Sequence, residues 1–247
     1  MPMKSLFIAI QFLTIIPFGE KLKIEEGEFA RSMVFFPVVG LIIGMFLVLI
    51  NYLALIFLSS FVVNVLIIIT WVILTGALHL DGFADTVDGL WGGQNKEERL
   101  KIMKDSFIGA KGGVALFCLL ALKFALLMEI IPQYKYQTLL FTPVMGRWAM
   151  VVGIFLAPYA KEEGMAMPFV EHKDKRHLLW ASLIALIIGL FLFKFVSLGI
   201  MGLTFFATFI LTSYLKRRIG GITGDTLGAL EEIIEVFILL VICLFSS

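Results

Sequence analysis

The sequence predicts an all-α fold, a polytopic integral membrane bundle of about seven transmembrane helices with a short N-terminal interfacial or re-entrant helix. Hydrophobic residues make up 60% of the 247 residues, and the mean hydropathy is +1.00, well above the values typical of soluble domains. Apolar runs of about 20 residues, which are long enough to cross the hydrocarbon core, recur along the chain. We therefore predict a single membrane-embedded domain over residues 1–247.

The N-terminal run 5–18 is short and includes Pro17, so it predicts an interfacial or re-entrant segment rather than a span. Gly40 and Gly44 have the small-residue spacing that lets membrane helices approach closely and permits a homo-oligomer. The predicted span 200–215 is also short and requires little tilt or a thinner bilayer. In chain order, the predicted spans are 33–58, 61–80, 113–131, 138–157, 178–196, 200–215 and 229–246.

Lys and Arg residues concentrate in alternate connections between these spans. Fifteen of them lie in four predicted loops, and two lie on the opposite face. Because positively charged loops stay in the cytoplasm, this bias predicts a cytoplasmic (inner) membrane protein whose functional loops face the cytoplasm. The net charge of +1 gives no basic field for nucleic acid, so the bilayer and small molecules are the expected partners. The four predicted cytoplasmic loops are 19–32, 81–112, 158–177 and 216–228.

Three aspartates follow the predicted span 61–80 with the spacing i, i+4, i+7. On a helix, Asp81, Asp85 and Asp88 fall on one stripe. Three like charges repel one another unless a cation neutralises them, and hard carboxylate oxygens suit Mg²⁺, Mn²⁺ or Ca²⁺. His79 projects off this stripe, where it could support the ligands, act as a general base, or simply pack.

A second acidic group opens the last predicted helix. Asp225 follows the glycine-rich turn 220–224, and Glu232 and Glu235 lie on the same side of the helix, whereas Glu231 is expected to point elsewhere. Asp225 could be a plain helix cap, and the glutamates could be interfacial side chains reaching for water. Taken together with the first stripe, they predict a polynuclear metal site, in which two metals about 4 Å apart can clamp a phosphoryl transfer.

The connecting segment offers candidate phosphate contacts. The run 109–113 is rich in glycine and enters a helix, where backbone N–H groups such as that of Gly112 can meet phosphate. Lys104 and Lys111 could bind a diphosphate or could serve only as positive-inside anchors. Arg147 interrupts an apolar run, so it is expected either to pair with an acidic residue or to bind substrate phosphate.

Three motifs together closely resemble the cobalamin synthase family, also called the adenosylcobinamide-GDP ribazoletransferases. They occur in the family's order and cover nearly the whole chain. One departure is Phe107, where the family often has arginine. The motifs are His79-Leu80-Asp81-Gly82-x-x-Asp85-x-x-Asp88-Gly89, Lys104-Asp105-Ser106-x-x-Gly109-x-x-Gly112, and Gly220-Gly221-x-Thr223-Gly224-Asp225-x-Leu227-Gly228-Ala229 with Glu232 and Glu235.

The resemblance implies a membrane-bound, Mg²⁺-dependent transferase. Such an enzyme moves the adenosylcobinamide-phosphate group from adenosylcobinamide-GDP to α-ribazole or its 5′-phosphate, and GMP leaves. The implied catalytic residues are Asp81, Asp85, Asp88 and His79. The implied Mg²⁺ ligands are Asp81, Asp85, Asp88, Asp225, Glu232 and Glu235. The implied substrate contacts are Lys104, Ser106, Lys111, Gly112, Arg147 and Thr223.

Two other functions fit parts of the pattern. A CDP-alcohol phosphotransferase also uses membrane-embedded aspartates and releases a nucleoside monophosphate, but this chain lacks the Ala-Arg that follows the second aspartate in that signature and the later aspartate pair. An ion-coupled transporter also has intramembrane acids and glycine-broken helices. Transporters often show paired halves, which this sequence does not.

Overall fold

The structure is a computed structural model that describes residues 2–17 and 26–246. Within those residues the chain forms helices joined by short loops, and the only β contact is an isolated bridge between Tyr159 and Ile222, which confirms the all-α prediction. The helices are α1 (Pro2–Leu13), α2 (Glu26–Ser32), a 3₁₀ turn (Met33–Phe35), α3 (Phe36–Ala54), α4 (Ser60–Thr75), α5 (Leu78–Gly92), α6 (Lys96–Ile102), α7 (Ala110–Glu129), α8 (Pro132–Leu156), α9 (Met167–Glu171), α10 (Lys175–Phe193), α11 (Val196–Ile219) and α12 (Gly224–Ser246).

Five helical segments of the described chain are long and apolar enough to cross a membrane, in rough agreement with the seven predicted spans. The predicted span 229–246 lies within α12, which carries three glutamates and is not among the five. Counting α4 and α5 together as one broken span would give a sixth. The five are Gly27–Ala54, α7, α8, α10 and α11.

Helix α8 lies at the centre of the bundle and contacts α3, α10, α11 and α12. It begins at Pro132, because proline is well suited to a first helical turn. The predicted connection 132–137 is therefore helical. Helix α3 packs closely against α8 through its glycines: a Cβ on Gly44 would lie 2.7 Å from the Cα of Leu140, so the close approach predicted for Gly40 and Gly44 occurs within the chain.

The predicted span 61–80 is wrong as a single helix, because the chain breaks after Thr75. Gly76 and Ala77 both adopt left-handed conformations, with φ of 59° and 57°. The N–H of Ala77 donates to the carbonyl of Val72 at 3.0 Å, a closure typical of a helix C-terminus. Helix α5 then leaves α4 at 88°. With 15 residues, α5 is too short to cross the bilayer alone.

Helix α11 is longer than the predicted span 200–215. It covers 24 residues, enough to cross the hydrocarbon core without a thinner bilayer. The prediction left out the first turn, whose residues 197–199 were placed in a connection, and the last turn, which contains the charged residues Lys216, Arg217 and Arg218. The helix ends at Gly220, where φ is 85°.

The N-terminal helix α1 has 12 residues, too few to cross a membrane, as predicted for the run 5–18. Phe12 packs against Phe29 and Phe169 at ring-centroid distances of 5.2 and 5.1 Å, which ties α1 to α2 and α9. Residues 18–25, which hold half of the predicted loop 19–32, lie outside the described residues, and the other half of that loop forms α2.

Candidate functional site

Helices α5 and α12 pack closely because glycines face the partner backbone on both sides. A Cβ on Gly82 would lie 2.7 Å from the carbonyl oxygen of Asp225, and a Cβ on Gly228 would lie 3.0 Å from the Cα of His79. Both distances are shorter than van der Waals contact permits. The start of α12 is therefore held against α5, and Asp225 lies beside the helix that carries the aspartate stripe.

Negative charge is concentrated around Asp85. Burial, which is the largest cause, and the charges of Asp81, Asp225 and Asp88 together raise the pKa of its carboxyl from 3.8 to about 6, whereas the charge of Lys161 lowers it. Asp81 is exposed, and the other three aspartates are half-buried. This group, which we call the aspartate cluster (Asp81, Asp85, Asp88 and Asp225), lies at the non-spanning helix α5 and the first turn of α12.

Asp88 accepts two backbone hydrogen bonds from the start of α7. The N–H of Gly109 donates to one carboxylate oxygen at 2.8 Å, and the N–H of Gly112 donates to the other at 2.9 Å. A carboxylate at a helix N-terminus is stabilised by the helix dipole. The Gly112 amide, expected on substrate diphosphate, is therefore engaged by Asp88, which joins α5 to α7.

The cap of α12 is Thr223 rather than Asp225. The N–H of Thr226 donates to the Thr223 hydroxyl at 3.2 Å, and the N–H of Thr223 donates to the Thr226 hydroxyl at 2.7 Å, a reciprocal capping arrangement. The Asp225 carboxylate is thus left to side chains. It accepts from Lys161 Nζ at 2.7 Å and from the Thr223 hydroxyl at 3.2 Å.

Sequence reasoning missed Lys161. It lies in the predicted loop 158–177, where a lysine followed by two glutamates looks like solvated charge. The loop is held against the start of α12 by two backbone bonds: Ala160 N–H donates to the Ile222 carbonyl at 2.8 Å, and Ile222 N–H donates to the Pro158 carbonyl at 2.9 Å. The isolated bridge at Ile222 could not be predicted from either segment alone.

A second charged group is buried between α7, α8 and α12. Lys123 Nζ donates to Glu232 at 2.7 Å and to Glu235 at 2.6 Å, and Arg147 pairs with Glu231 and Glu235. Each of the five residues is at most 4% exposed. We call this group the buried ion-pair cluster (Lys123, Arg147, Glu231, Glu232 and Glu235).

The contacts of this cluster bear on the predicted roles of three residues. Glu232 and Glu235, expected as metal ligands, bind cationic side chains, and Arg147 pairs with acids, which is one of the two alternatives predicted for it. Glu232 lies two helical turns, about 10 Å, along α12 from Asp225. The three glutamate carboxylates are close enough together to hold an ion, but Lys123 and Arg147 already neutralise two of their three charges, so we omit them from the ligand set.

One further sequence interpretation needs correction. Glu231, expected to point away from the site, is fully buried and pairs with Arg147, because the cluster surrounds the start of α12 from two neighbouring helices. Lys123, to which the sequence analysis assigned no role, is also buried, and its ammonium lies 4.5 Å from the centre of the Trp71 ring.

The remaining predicted contacts lie at the edge of the site or beneath it. Lys104 and Ser106 are exposed on the segment that follows α6. Lys111 is also exposed, and its Nζ donates to the carbonyl of Trp91 at 2.5 Å. His79 is 2% exposed, and its Nε2 has no hydrogen-bond partner in the described part of the chain. It lies beneath the aspartate cluster rather than open to a ligand.

The contact between α5 and α12 gives a first prediction. We expect Gly82→Ala to lower the free energy of unfolding by about 1–3 kcal/mol, because the added methyl group would overlap the Asp225 backbone. Gly199→Ala is the matched control, because its methyl group would enter open space and alanine favours a helix. Unfolding in detergent, followed by circular dichroism, measures both. Equal stability of the two variants would contradict the close contact.

Comparison with known proteins connects these observations to a family. The profile described as cobalamin-5-phosphate synthase matches residues 5–243. An adenosylcobinamide-GDP ribazoletransferase of Desulforamulus reducens is 38% identical over 97% of this chain and 96% of its own. Proteins of the same description from Syntrophobacter fumaroxidans and Acetivibrio thermocellus are 41% and 34% identical, over 94% and 99% of both chains. No solved structure matches the chain.

Proposed function

The chain belongs to the cobalamin-5-phosphate synthase family, and from this premise we propose that the aspartate cluster is its active centre. The protein is an adenosylcobinamide-GDP ribazoletransferase. It transfers the adenosylcobinamide-phosphate group from adenosylcobinamide-GDP to α-ribazole or its 5′-phosphate and releases GMP. Neither a CDP-alcohol phosphotransferase nor a transporter is favoured by the comparisons.

One observation supports the assignment of the active centre. Gly82 on α5 contacts the backbone of Asp225 on α12. The Asp225 carboxylate therefore lies close enough to Asp85 to raise its pKa, although the two residues are far apart in the sequence. A diphosphate substrate is itself an anion, so it can approach these aspartates only if positive charge accompanies it. Lys161 supplies one such charge beside Asp225.

The donor set suits Mg²⁺, and we assign its binding to Asp81, Asp85 and Asp225. Hard carboxylate oxygens are the protein ligands that Mg²⁺ prefers. Burial and the neighbouring carboxylates raise the pKa of Asp85, so the single charge of Lys161 does not balance the four aspartates. Both oxygens of Asp88 already accept backbone N–H bonds, so Asp88 positions α7 against α5. When bound, Mg²⁺ supplies positive charge for the diphosphate and for the leaving GMP.

The other residues have roles that follow from their positions. Lys161 and Thr223 hold the Asp225 carboxylate in place. Asp81 is the exposed member of the cluster, and we assign the carboxylate oxygen that it does not commit to the metal as the base that accepts the proton of the attacking ribose hydroxyl. His79 is too deeply buried for that role. Lys104 and Lys111 are exposed cations near the start of α7 and are assigned to substrate phosphate.

Several apolar helices make the protein a membrane protein. The concentration of Lys and Arg in the loops around the aspartate cluster supports a cytoplasmic (inner) membrane location with the active centre facing the cytoplasm. Adenosylcobinamide-GDP and α-ribazole would then reach the cluster from the cytoplasm.

Product analysis of the purified protein tests the proposal. With adenosylcobinamide-GDP, α-ribazole and Mg²⁺, we expect equal amounts of GMP and the joined cobamide, and we expect EDTA to reduce the rate at least about 100-fold until Mg²⁺ is restored. A full rate in EDTA would remove the metal assignment and leave the reaction intact. Substrate passage across vesicles without release of GMP would instead indicate a transporter.

A further inference from the structure

A cavity lies at the end of the bundle farthest from the aspartate cluster, which we call the distal end. It opens to the outside of the bundle between the end of α3, the start of α4, the end of α7 and the start of α8, and its volume is about 310 Å³. Apolar side chains form much of its lining. The polar residues that line it are Asn51, Ser60, Asn64, Lys135 and Tyr136.

Lys135 brings a positive charge into this cavity without a negative partner. Its half-buried ammonium donates to the Asn64 side-chain oxygen at 2.6 Å and to the Leu127 carbonyl at 2.5 Å. No carboxylate among residues 3–17 or 27–245 pairs with it, and Glu129, the acid that ends α7, is exposed and forms no ion pair with it. One of the three ammonium donors is therefore left for a ligand.

The surrounding polar groups are fixed in place. The Asn64 amide nitrogen donates to the Ser60 carbonyl at 2.9 Å and to the Met128 sulfur at 3.1 Å, which leaves the amide oxygen facing Lys135. The site is thus formed before any ligand arrives. A charge near the membrane boundary is costly unless it is paired or hydrated, so an anion is the ligand that this arrangement favours.

The apolar part of the lining indicates what kind of anion fits. Leu55 and Met128 line the cavity and are 45% and 39% exposed, so the apolar lining is open to the outside of the bundle, where acyl chains surround the helices of a membrane protein. A ligand in this cavity therefore meets a cation and amides at one end and aliphatic side chains at the other. We propose that the cavity binds a phospholipid, with its phosphodiester on Lys135 and an acyl chain along Leu55 and Met128.

Titration of the delipidated protein in detergent, followed by native mass spectrometry, tests this site. We expect saturable binding of one phosphatidylglycerol per chain. Lys135→Met should weaken that binding at least tenfold, and Lys135→Arg should largely retain it. Lys216→Met is the matched control and should bind like the wild type. It removes an exposed charge from the last turn of α11, at the end of the bundle opposite the cavity. Unchanged binding by Lys135→Met would overturn the proposal.

Two measurements on the wild-type protein keep the test decisive if Lys135→Met does not fold. Diacylglycerol with the same acyl chains lacks the phosphate and should bind at least tenfold more weakly than phosphatidylglycerol, and equal binding would overturn the proposal. Inorganic phosphate distinguishes a lipid site from a site for free anions. If phosphate at matched concentration displaces the lipid, the cavity is a free-anion site and the phospholipid assignment is wrong.

Discussion

Replacing Asp85 with asparagine is expected to lower kcat/KM for GMP release at least about 100-fold, equivalent to about 2.7 kcal/mol of transition-state stabilisation. Asparagine has nearly the same shape but no charge. Because Asp85 receives the charges of the three other aspartates, its substitution removes the carboxylate at the centre of the cluster. Steady-state assays at several Mg²⁺ concentrations measure the effect, and the variant should also need more Mg²⁺ for half-maximal rate.

Glu163→Gln is a suitable control for the loss of Asp85. Glu163 is an exposed acid in the loop that carries Lys161, so its replacement removes one negative charge at the same end of the bundle without touching the cluster. We expect its rate to stay within about twofold of the wild type, since surface charges contribute little when screened by salt. If Asp85→Asn is folded and keeps the full Mg²⁺-dependent rate, Asp85 does not belong to the metal site.

The parts of the protein that depend on local periodicity could be predicted from the sequence. Apolar runs of membrane length predicted the helical bundle, and the spacing of Asp81, Asp85 and Asp88 predicted one stripe on a helix. The proximity of Asp225 to this stripe is a long-range contact, and glycines at the crossing of α5 and α12 are its physical cause. Periodicity alone does not report such a contact, whereas the prediction of one metal site shared by the two acidic groups did expect them to lie close together.

The rest could not be predicted because it depends on partners from other helices. Helical spacing correctly placed Glu232 and Glu235 on one side of α12, but it carries no information that Lys123 and Arg147 come from α7 and α8 to meet them. The break after α4 was missed for a different reason. Gly76 is typical of a helix end, but the apolar run continues past it, and Ala77 adopts a left-handed conformation there, which alanine rarely does.

Arg147→Met is expected to lower the free energy of unfolding by about 3–5 kcal/mol, because it leaves acidic side chains unpaired in the interior. Arg147 is fully buried and is the cation that pairs with Glu231 in the described part of the chain. Glu235 retains Lys123 in the variant, so Glu231 is the residue whose charge becomes uncompensated. Unfolding by increasing SDS mole fraction, followed by circular dichroism, measures the loss.

The double variant Arg147→Met, Glu231→Gln decides whether charge balance is the cause. Neutralising Glu231 removes the unpaired acid while Lys123 still binds Glu232 and Glu235, so we expect it to recover more than half of the lost stability. If charge pairing is the cause, the effects of the two substitutions are not additive, and the second substitution offsets part of the first. If loss of packing is the cause, the double variant is less stable than either single variant. Arg217→Met, an exposed site on α11, should stay within about 0.5 kcal/mol of the wild type. A double variant no more stable than Arg147→Met alone would show that packing, rather than charge pairing, makes Arg147 necessary.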